Sequence, residues 1–320
     1  MKVPIQYGES WSAWCAYLNT YQHLPLERIS QLFEDLTGHR PSEATLLSHL
    51  EKLSIQLEPI ENTSRQNLVG SKVVHADETG MRIEGKLHWL HTVCNDKWTL
   101  YNVHQKRGKE AINAMGVLPA YKGIVVHDFW KPYFNADYDF THALCGVHLL
   151  RECQGIIDYD KHQWASEIQA LLREALKKSK QASEAGRPLE PEVISDIETN
   201  YDEIISRGTK QWRPPLKPDV PGKRGRKAKG KAANLAERFI LYKADILRFL
   251  QNALVPFDNS QAERDIRMVK VKEKVSGSFR TEKGAIQFAR IRGFISTIRK
   301  QGKDLLDSII LVNRGQFTFS

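Results

Sequence analysis

The sequence has few cysteines, and none stands where a cysteine framework would need it. Cys15, Cys94, Cys145 and Cys153 form no CxxC pair, which argues against a disulfide scaffold and a cysteine-rich zinc module. Long apolar runs are also missing. None approaches the ~18 residues of a membrane-spanning helix, and the opening MKVPIQYGES has no apolar signal-peptide region. These absences predict a cytoplasmic protein with no membrane partner.

Charge is what the sequence has in quantity, and it is unevenly placed. A hydrophobic content of 41% and a charged content of 27% describe a globular chain, and 320 residues suggest about two domains. Residues 201–320 hold 26 Lys+Arg against 12 Asp+Glu, a balance of +14, while the remaining 200 residues carry −5. A basic third on a mildly acidic body points to a polyanion partner, above all nucleic acid. The densest basic run lies in residues 213–233, RPPLKPDVPGKRGRKAKGKAA, which hold four prolines and cannot bury enough apolar surface to fold alone. It predicts a loop whose Lys223, Arg224, Arg226 and Lys227 contact phosphates, with a solvated linker as the alternative.

Helical periodicity opens the chain. Trp11, Trp14, Cys15 and Leu18 fall on one face of a helix over 8–22. A second helix from Leu24-Pro25 carries Ile29, Leu32, Phe33 and Leu36. Gly38-His-Arg-Pro41 breaks it, and Ser42 can cap a third bearing Leu46, Leu47, Leu50 and Leu53. Helix, Gly-containing turn, helix is the outline of a helix-turn-helix, which suits DNA contact or dimerisation.

At residue 72 the period changes to two. Lys72–Thr79 with Met81–Ile83, Leu87–Val93 and Trp98–His104 predict a three-stranded antiparallel meander. A helix over 109–115 follows, then a buried-looking strand, Gly123–Val126, ending at His127-Asp128. After a loop with Trp130 and Tyr133, His142–Cys145 leads into a helix that begins near Val147. This order matches the ribonuclease-H-like α/β fold with a mixed sheet. In that fold one acid on the first strand meets another just after the fourth, at the crevice where α/β sheets bind ligands. Asp77 and Asp128 occupy those places. Neighbours on a strand face opposite ways, so Asp77 is chosen over Glu78. Residues 159–213 are helical and broken at Gly186-Arg-Pro188, and a further helix spans 234–252. Phe288, Ile291, Ile295 and Ile298 form a helix stopped by Gly302, and Leu305–Val312 form the last.

One stretch carries chemistry on a helix: Val255-Pro-Phe-Asp-Asn-Ser-Gln-Ala-Glu263, continuing to Lys274. Ala262, Ile266 and Val269 form a narrow apolar stripe. Glu263, Arg267, Lys270 and Lys274 fall within roughly 60° of one another, so a carboxylate borders the core with cations in a column below it. A capping box, Ser260-x-x-Glu263, with a solvated basic face is the other reading.

These motifs together resemble the insertion sequence 66 family of bacterial transposases, which carry a DDE catalytic triad. The matching blocks are His75-Ala-Asp77-Glu-Thr79, His127-Asp128-Phe-Trp130 with Tyr133, and His142-Ala-Leu-Cys145-Gly-Val-His148-Leu-Leu-Arg151-Glu152. To these add the Glu263 stretch, Lys274-Val-Ser-Gly277-Ser-Phe-Arg280, and Ile291-Arg-Gly-Phe-Ile-Ser-Thr-Ile-Arg-Lys-Gln-Gly302. The resemblance implies a triad of Asp77, Asp128 and Glu263 that also binds metal. Two Mg²⁺ ions about 4 Å apart, replaceable by Mn²⁺, then serve cleavage at the transposon ends and 3′-OH strand transfer. Arg267, Lys270 and Lys274 would follow the DNA strand. Cys145-x-x-His148 looks like the short motif other DDE transposases carry between their second and third acids, with Arg151 one turn beyond. A two-ligand zinc site or a core cysteine beside a histidine are the rival readings.

The implied partners are the DNA ends and target, a second copy of the chain on DNA, and accessory proteins of the element, in a bacterial, nucleoid-associated setting. The implied domains are a helical segment over 1–70, the first part of the catalytic core over 71–158, a helical insertion with the basic loop over 159–234, and the rest of the core over 235–320. Set against the family's pattern, the sequence is expected to lack the N-terminal cysteine-rich zinc-binding region. Other outcomes of the same sequence are a truncated or domesticated DNA-binding protein without catalysis, and a ribonuclease-H-like nuclease without transposition.

Overall fold

The computed structural model describes residues 7–212 and 230–319. They divide into two compact units, one formed by residues 7–123, 130–140 and 260–319, the other by 124–129, 141–212 and 230–259.

The first unit begins with α1 (Glu9–Ala16), which widens into a π-helical turn over Tyr17–Tyr21, followed by α2 (Leu26–Thr37) and α3 (Glu43–Gln56). Ser42 caps α3 as expected, its hydroxyl accepting from the Thr45 N–H at 3.1 Å. A fourth helix, α4 (Glu58–Val69), had no signal in the sequence. Only Ser64 and Leu68 are buried along its length, so an apolar stripe never forms.

The meander follows with β1 (Val73–Ile83), β2 (Lys86–Cys94) and β3 (Thr99–His104), then α5 (Lys109–Met115). The β1–β2 hairpin pairs Ile83 with Lys86 across Glu84 and Gly85. Both turn residues have positive φ, 51° and 76°, the pattern that matches the right-handed strand twist and that glycine adopts without strain.

The second unit holds β4 (Ile124–His127) parallel to β5 (Thr141–Leu144), and the helices α6 (Gly146–Tyr159), α7 (Gln163–Glu184), α8 (Pro191–Trp212), α9 (Lys231–Leu241) and α10 (Lys243–Gln251). The single helix expected over 234–252 is two. Tyr242 leaves helical geometry at φ −116° and ψ 24°. Its ring packs on Phe129 at 5.6 Å, and Lys243 pairs with Asp202 at 2.6 Å. Tertiary contacts here override a continuous periodicity. The core of this unit is aromatic: Trp164 meets Trp212 at 5.0 Å, and the Tyr201 hydroxyl donates to the Phe239 carbonyl at 2.7 Å.

The chain then re-enters the first unit as α11 (Ser260–Ser276), α12 (Glu282–Lys300) and α13 (Leu305–Asn313). Gly277, at φ 73°, ends α11. Phe279 next clips onto the end of β1, its N–H donating to the Arg82 carbonyl and its carbonyl accepting from the Glu84 N–H, both at 3.0 Å. Helix α12 is the hub of the unit. Ile291, Phe294, Ile295 and Ile298 close one core with α1, α2, α3 and α13. Ala285, Phe288 and Ala289 close a second with β1, β2, β3 and α11.

Five strands of mixed sense among helices make this an α/β chain of the ribonuclease-H-like class. Among the described residues no helix is long and apolar enough to cross a membrane.

Candidate active site

On β1 two acids stand side by side, and their neighbours give them different work. Glu78 is buried, with Oε1 accepting from Arg107 at 2.6 and 3.0 Å and Oε2 accepting from the Tyr133 hydroxyl at 2.8 Å. The Arg107 guanidinium lies against the rings of Trp89 at 4.7 Å and Trp130 at 4.5 Å. A buried carboxylate needs such partners, since an unpaired charge in the interior is costly. Strand alternation puts Asp77 on the opposite face, half-buried, with its Oδ1 accepting from the Glu78 N–H at 2.8 Å.

Helix α11 repeats this division. Asp265 Oδ2 accepts from Thr99 Oγ1 at 3.0 Å and from Lys300 Nζ at 2.7 Å, and the Asp265 carbonyl accepts from the Tyr101 hydroxyl at 2.9 Å. Two residues on a helix differ by about 200°. With Asp265 turned onto β3 and α12, Glu263 is carried to the other side, half-buried.

Further along, Lys270 donates its ammonium to the Gly80 carbonyl, and the Glu273 carboxylate accepts from the Arg82 N–H at 2.7 Å. These two bonds fix the register of α11 along β1. Glu263 lies about 10.5 Å before Lys270 at helical rise, and Asp77 lies about 10 Å before Gly80 at strand rise. The two carboxylate-bearing residues are therefore level. Arg267 and Lys274 are exposed on the same helix.

In the second unit, half-buried Asp128 follows β4 directly. His127 beside it is buried, and its Nε2 meets His142 Nδ1 at 2.8 Å. Burial pushes the His127 ring down to about 3, helped by the His142 charge and opposed by its bond to the Asp128 carbonyl. The His142 carbonyl in turn accepts from Arg248 Nε at 2.6 Å.

Cys145 is fully buried, and its sulfur accepts from the Asn259 N–H at 3.3 Å. Ligand atoms of Cys145 and His148 come within 4.8 Å of each other. Gly146 lets the start of α6 approach the Phe257 ring, where a Cβ would lie 2.2 Å from a ring carbon, and its N–H donates to the Phe257 carbonyl at 2.8 Å. Arg151 is exposed on the next turn of α6.

Of the residues singled out by sequence, Asp77, Glu263, Arg267, Lys270 and Lys274 thus share the first unit, on β1 and α11. Asp128, Cys145, His148 and Arg151 belong to the second. Lys223, Arg224, Arg226 and Lys227 lie outside the described residues. Sequence reasoning missed Arg107 as the partner of Glu78, a pairing across 29 residues that no local pattern announces. It also missed Asp265, whose helical phase relative to Glu263 was a usable signal.

A mixed α/β core with acids set along its first strand and along a late, basic helix is the frame of a ribonuclease-H-like enzyme acting on nucleic acid. The model of one such family, described as Transposase IS66 family, matches residues 4–287. The chain belongs to that family and is a transposase, a class of enzyme that cleaves DNA. It has no significant match among curated proteins.

Proposed function

We propose that this transposase works by DDE chemistry, with Asp77, Asp128 and Glu263 as the acidic triad, cutting at transposon ends and joining the 3′-OH to target DNA. The observation that carries the reading is the register of α11 on β1. It brings Asp77 level with Glu263, while the adjacent acids Glu78 and Asp265 are held in structural bonds.

Half-buried carboxylates are hard oxygen donors, and such a donor set suits Mg²⁺ or Mn²⁺ rather than a soft-ligand metal. Asp77, Asp128 and Glu263 would hold the ions, which when bound supply Lewis-acid activation of water and charge stabilisation at the departing oxygen. The protein's own part is placement. The Glu78–Arg107–Tyr133 network stiffens β1 at Asp77, the Asp265–Lys300 pair aims Glu263, and Arg267 offers a guanidinium to a phosphate of the flanking strand. In this reading residues 1–70 contact DNA or a second copy of the chain, and residues 159–234 form an insertion before the third acid.

The test is divalent-metal-dependent nicking of DNA that carries the element's inverted repeats, with each acid changed in turn. Asp77→Ala, Asp128→Ala and Glu263→Ala are each expected to abolish cleavage while folding and DNA binding persist, because ligands of one centre act as a unit. Cleavage above a tenth of wild type in any one variant removes that residue from the triad. Nicking without joining to target DNA would make the protein a nuclease.

A further inference from the structure

Helix α12 carries two pairs of cations, Arg290 and Arg292 at its middle and Arg299 and Lys300 at its C-terminal end, and the members of each pair are treated differently. Arg290 pairs with Glu61 at 2.5 Å and Lys300 with Asp265 at 2.7 Å. Arg292 and Arg299 pair with no carboxylate among the described residues. Arg292 is only 8% exposed, yet its Nε and Nη1 are buried without an acceptor. Its guanidinium lies 4.9 Å from the Tyr21 ring, and Arg299 approaches the same ring at 4.8 Å.

A second buried group converges on the first. His23, 3% exposed, follows the π-helical turn that ends at Tyr21, and neither ring nitrogen has a hydrogen-bond partner among the described residues. Its ring lies 6.1 Å from that of Phe288, one turn before Arg292 on α12, and Lys272 sits 3.9 Å over the adjoining Phe279 ring while donating to the Gly277 carbonyl at 3.0 Å. Native interiors pair their donors, and buried charges most of all. Here a guanidinium and an imidazole from two distant parts of the chain are buried together with donors to spare. Around them Arg299 is exposed, and Tyr21 and Lys272 are half-buried, so the floor is deep and the rim is open.

We propose that His23, Arg292, Lys272 and Arg299 form an oxyanion site that takes one phosphate group against the Tyr21 ring. Its floor supplies donors with no acceptor of their own and its rim supplies positive charge, the combination that phosphate oxygens satisfy. The choice of phosphate over carboxylate rests on the chain being a transposase, and not on the acidic triad. A failed cleavage assay therefore leaves this site standing.

The experiment measures the melting temperature of the full chain in inorganic phosphate, in acetate and in chloride at matched ionic strength. Wild type is expected to rise by roughly 2–4 °C in phosphate alone. Arg299→Gln and Lys272→Gln, both toward the surface, are expected to fold and to lose most of that rise. Arg292→Met is expected to lose all of it without melting lower in chloride, because the deep charge it removes has no carboxylate partner among the described residues.

Salt titration of binding to a duplex of arbitrary sequence identifies the source of the phosphate. A fall of about 1–2 in the log–log slope for the Arg299→Gln, Lys272→Gln double variant makes it a DNA backbone phosphate. An unchanged slope beside a lost phosphate response makes it free phosphate. Equal melting in phosphate, acetate and chloride overturns the proposal, as does an undiminished phosphate response in the variants.

Discussion

The Lys270 ammonium donates to the backbone carbonyl of Gly80, and through that bond a helix late in the chain is held in step with the first strand. Sequence periodicity placed Lys270 in a column of cations with Arg267 and Lys274, which the family resemblance implied would follow DNA. The bond to Gly80 gives it a second task, that of keeping Glu263 level with Asp77.

The column should therefore separate on mutation. Arg267→Gln is expected to lower strand cleavage most, with little change in melting, because its exposed guanidinium has no structural partner among the described residues. Lys270→Gln should lower both cleavage and stability, the latter by about 0.5–1.5 kcal/mol for one hydrogen bond. Lys274→Gln should change little. Equal small effects at all three positions, read by cleavage rate and thermal melting together, would return the column to an ordinary solvated face.

Asp265 and Lys300 are both mostly buried, with side chains 13% and 16% exposed. Removing one partner leaves the other charge without its counter-ion. Asp265→Asn is expected to cost about 2–3 kcal/mol in denaturant unfolding and to depress cleavage further than the stability loss explains, since it loosens the grip that aims Glu263. A variant that unfolds at the wild-type denaturant concentration would show that Thr99 and Tyr101 hold the helix unaided.

Glu78 offers the sharper contrast with its neighbour. Its side chain is 2% exposed, so Arg107→Ala should strand a buried carboxylate and cost about 3–5 kcal/mol. Asp77→Asn, on the other face of the same strand, should leave the melting temperature nearly unchanged while ending cleavage. Melting curves of the two variants, run side by side, check the division of labour within one dipeptide.

Acid sensitivity follows from buried histidines, His23 and His91 among them beside His127. Burial first, then nearby cations, pushes His23 down to about 4, and burial likewise holds His91 at about 4 against the opposing bond from Lys106. An unfolded histidine titrates near 6.5. Between those values the unfolded chain binds protons that the folded chain refuses. Stability present above pH 6.5 is thus lost as pH falls toward 4, by about 1.4 kcal/mol per pH unit for each ring at the steepest. Denaturant midpoints measured from pH 7 to pH 4.5 should fall, and His91→Gln should flatten the slope. A midpoint that does not move over that range would place both rings in contact with water.

The elements that sequence showed plainly are those whose own periodicity decides them. The β1–β3 meander, the caps at Ser42 and Gly302, and the buried stripe of α12 were legible because alternation and helical phase are local. The half-buried position of Glu263 was legible for the same reason, since it borders the stripe of Ala262, Ile266 and Val269 that faces inward. Helix α4 was not, because its burial comes from single residues without a stripe. The break at Tyr242 was not, because packing on Phe129 decides it. The partners of Glu78 and Asp265 lie far away in sequence, and only the folded chain states whether a charge is paired.

The order of synthesis gives the α12 hub a further consequence. Ile29, Leu46 and Leu53 leave the ribosome early, but Ile295 and Ile298, which cover them, come about 240 residues later. At about 5–20 residues per second that is an interval of roughly 12–48 s in which the first helices have no lid of their own. The residues of the second unit are all available by position 259, before α11 has emerged. The unit that bears Asp77 must therefore close last, around a helix that has only just been made. A nascent chain is held in this way from presenting Asp77 beside Glu263 until nearly all of it exists.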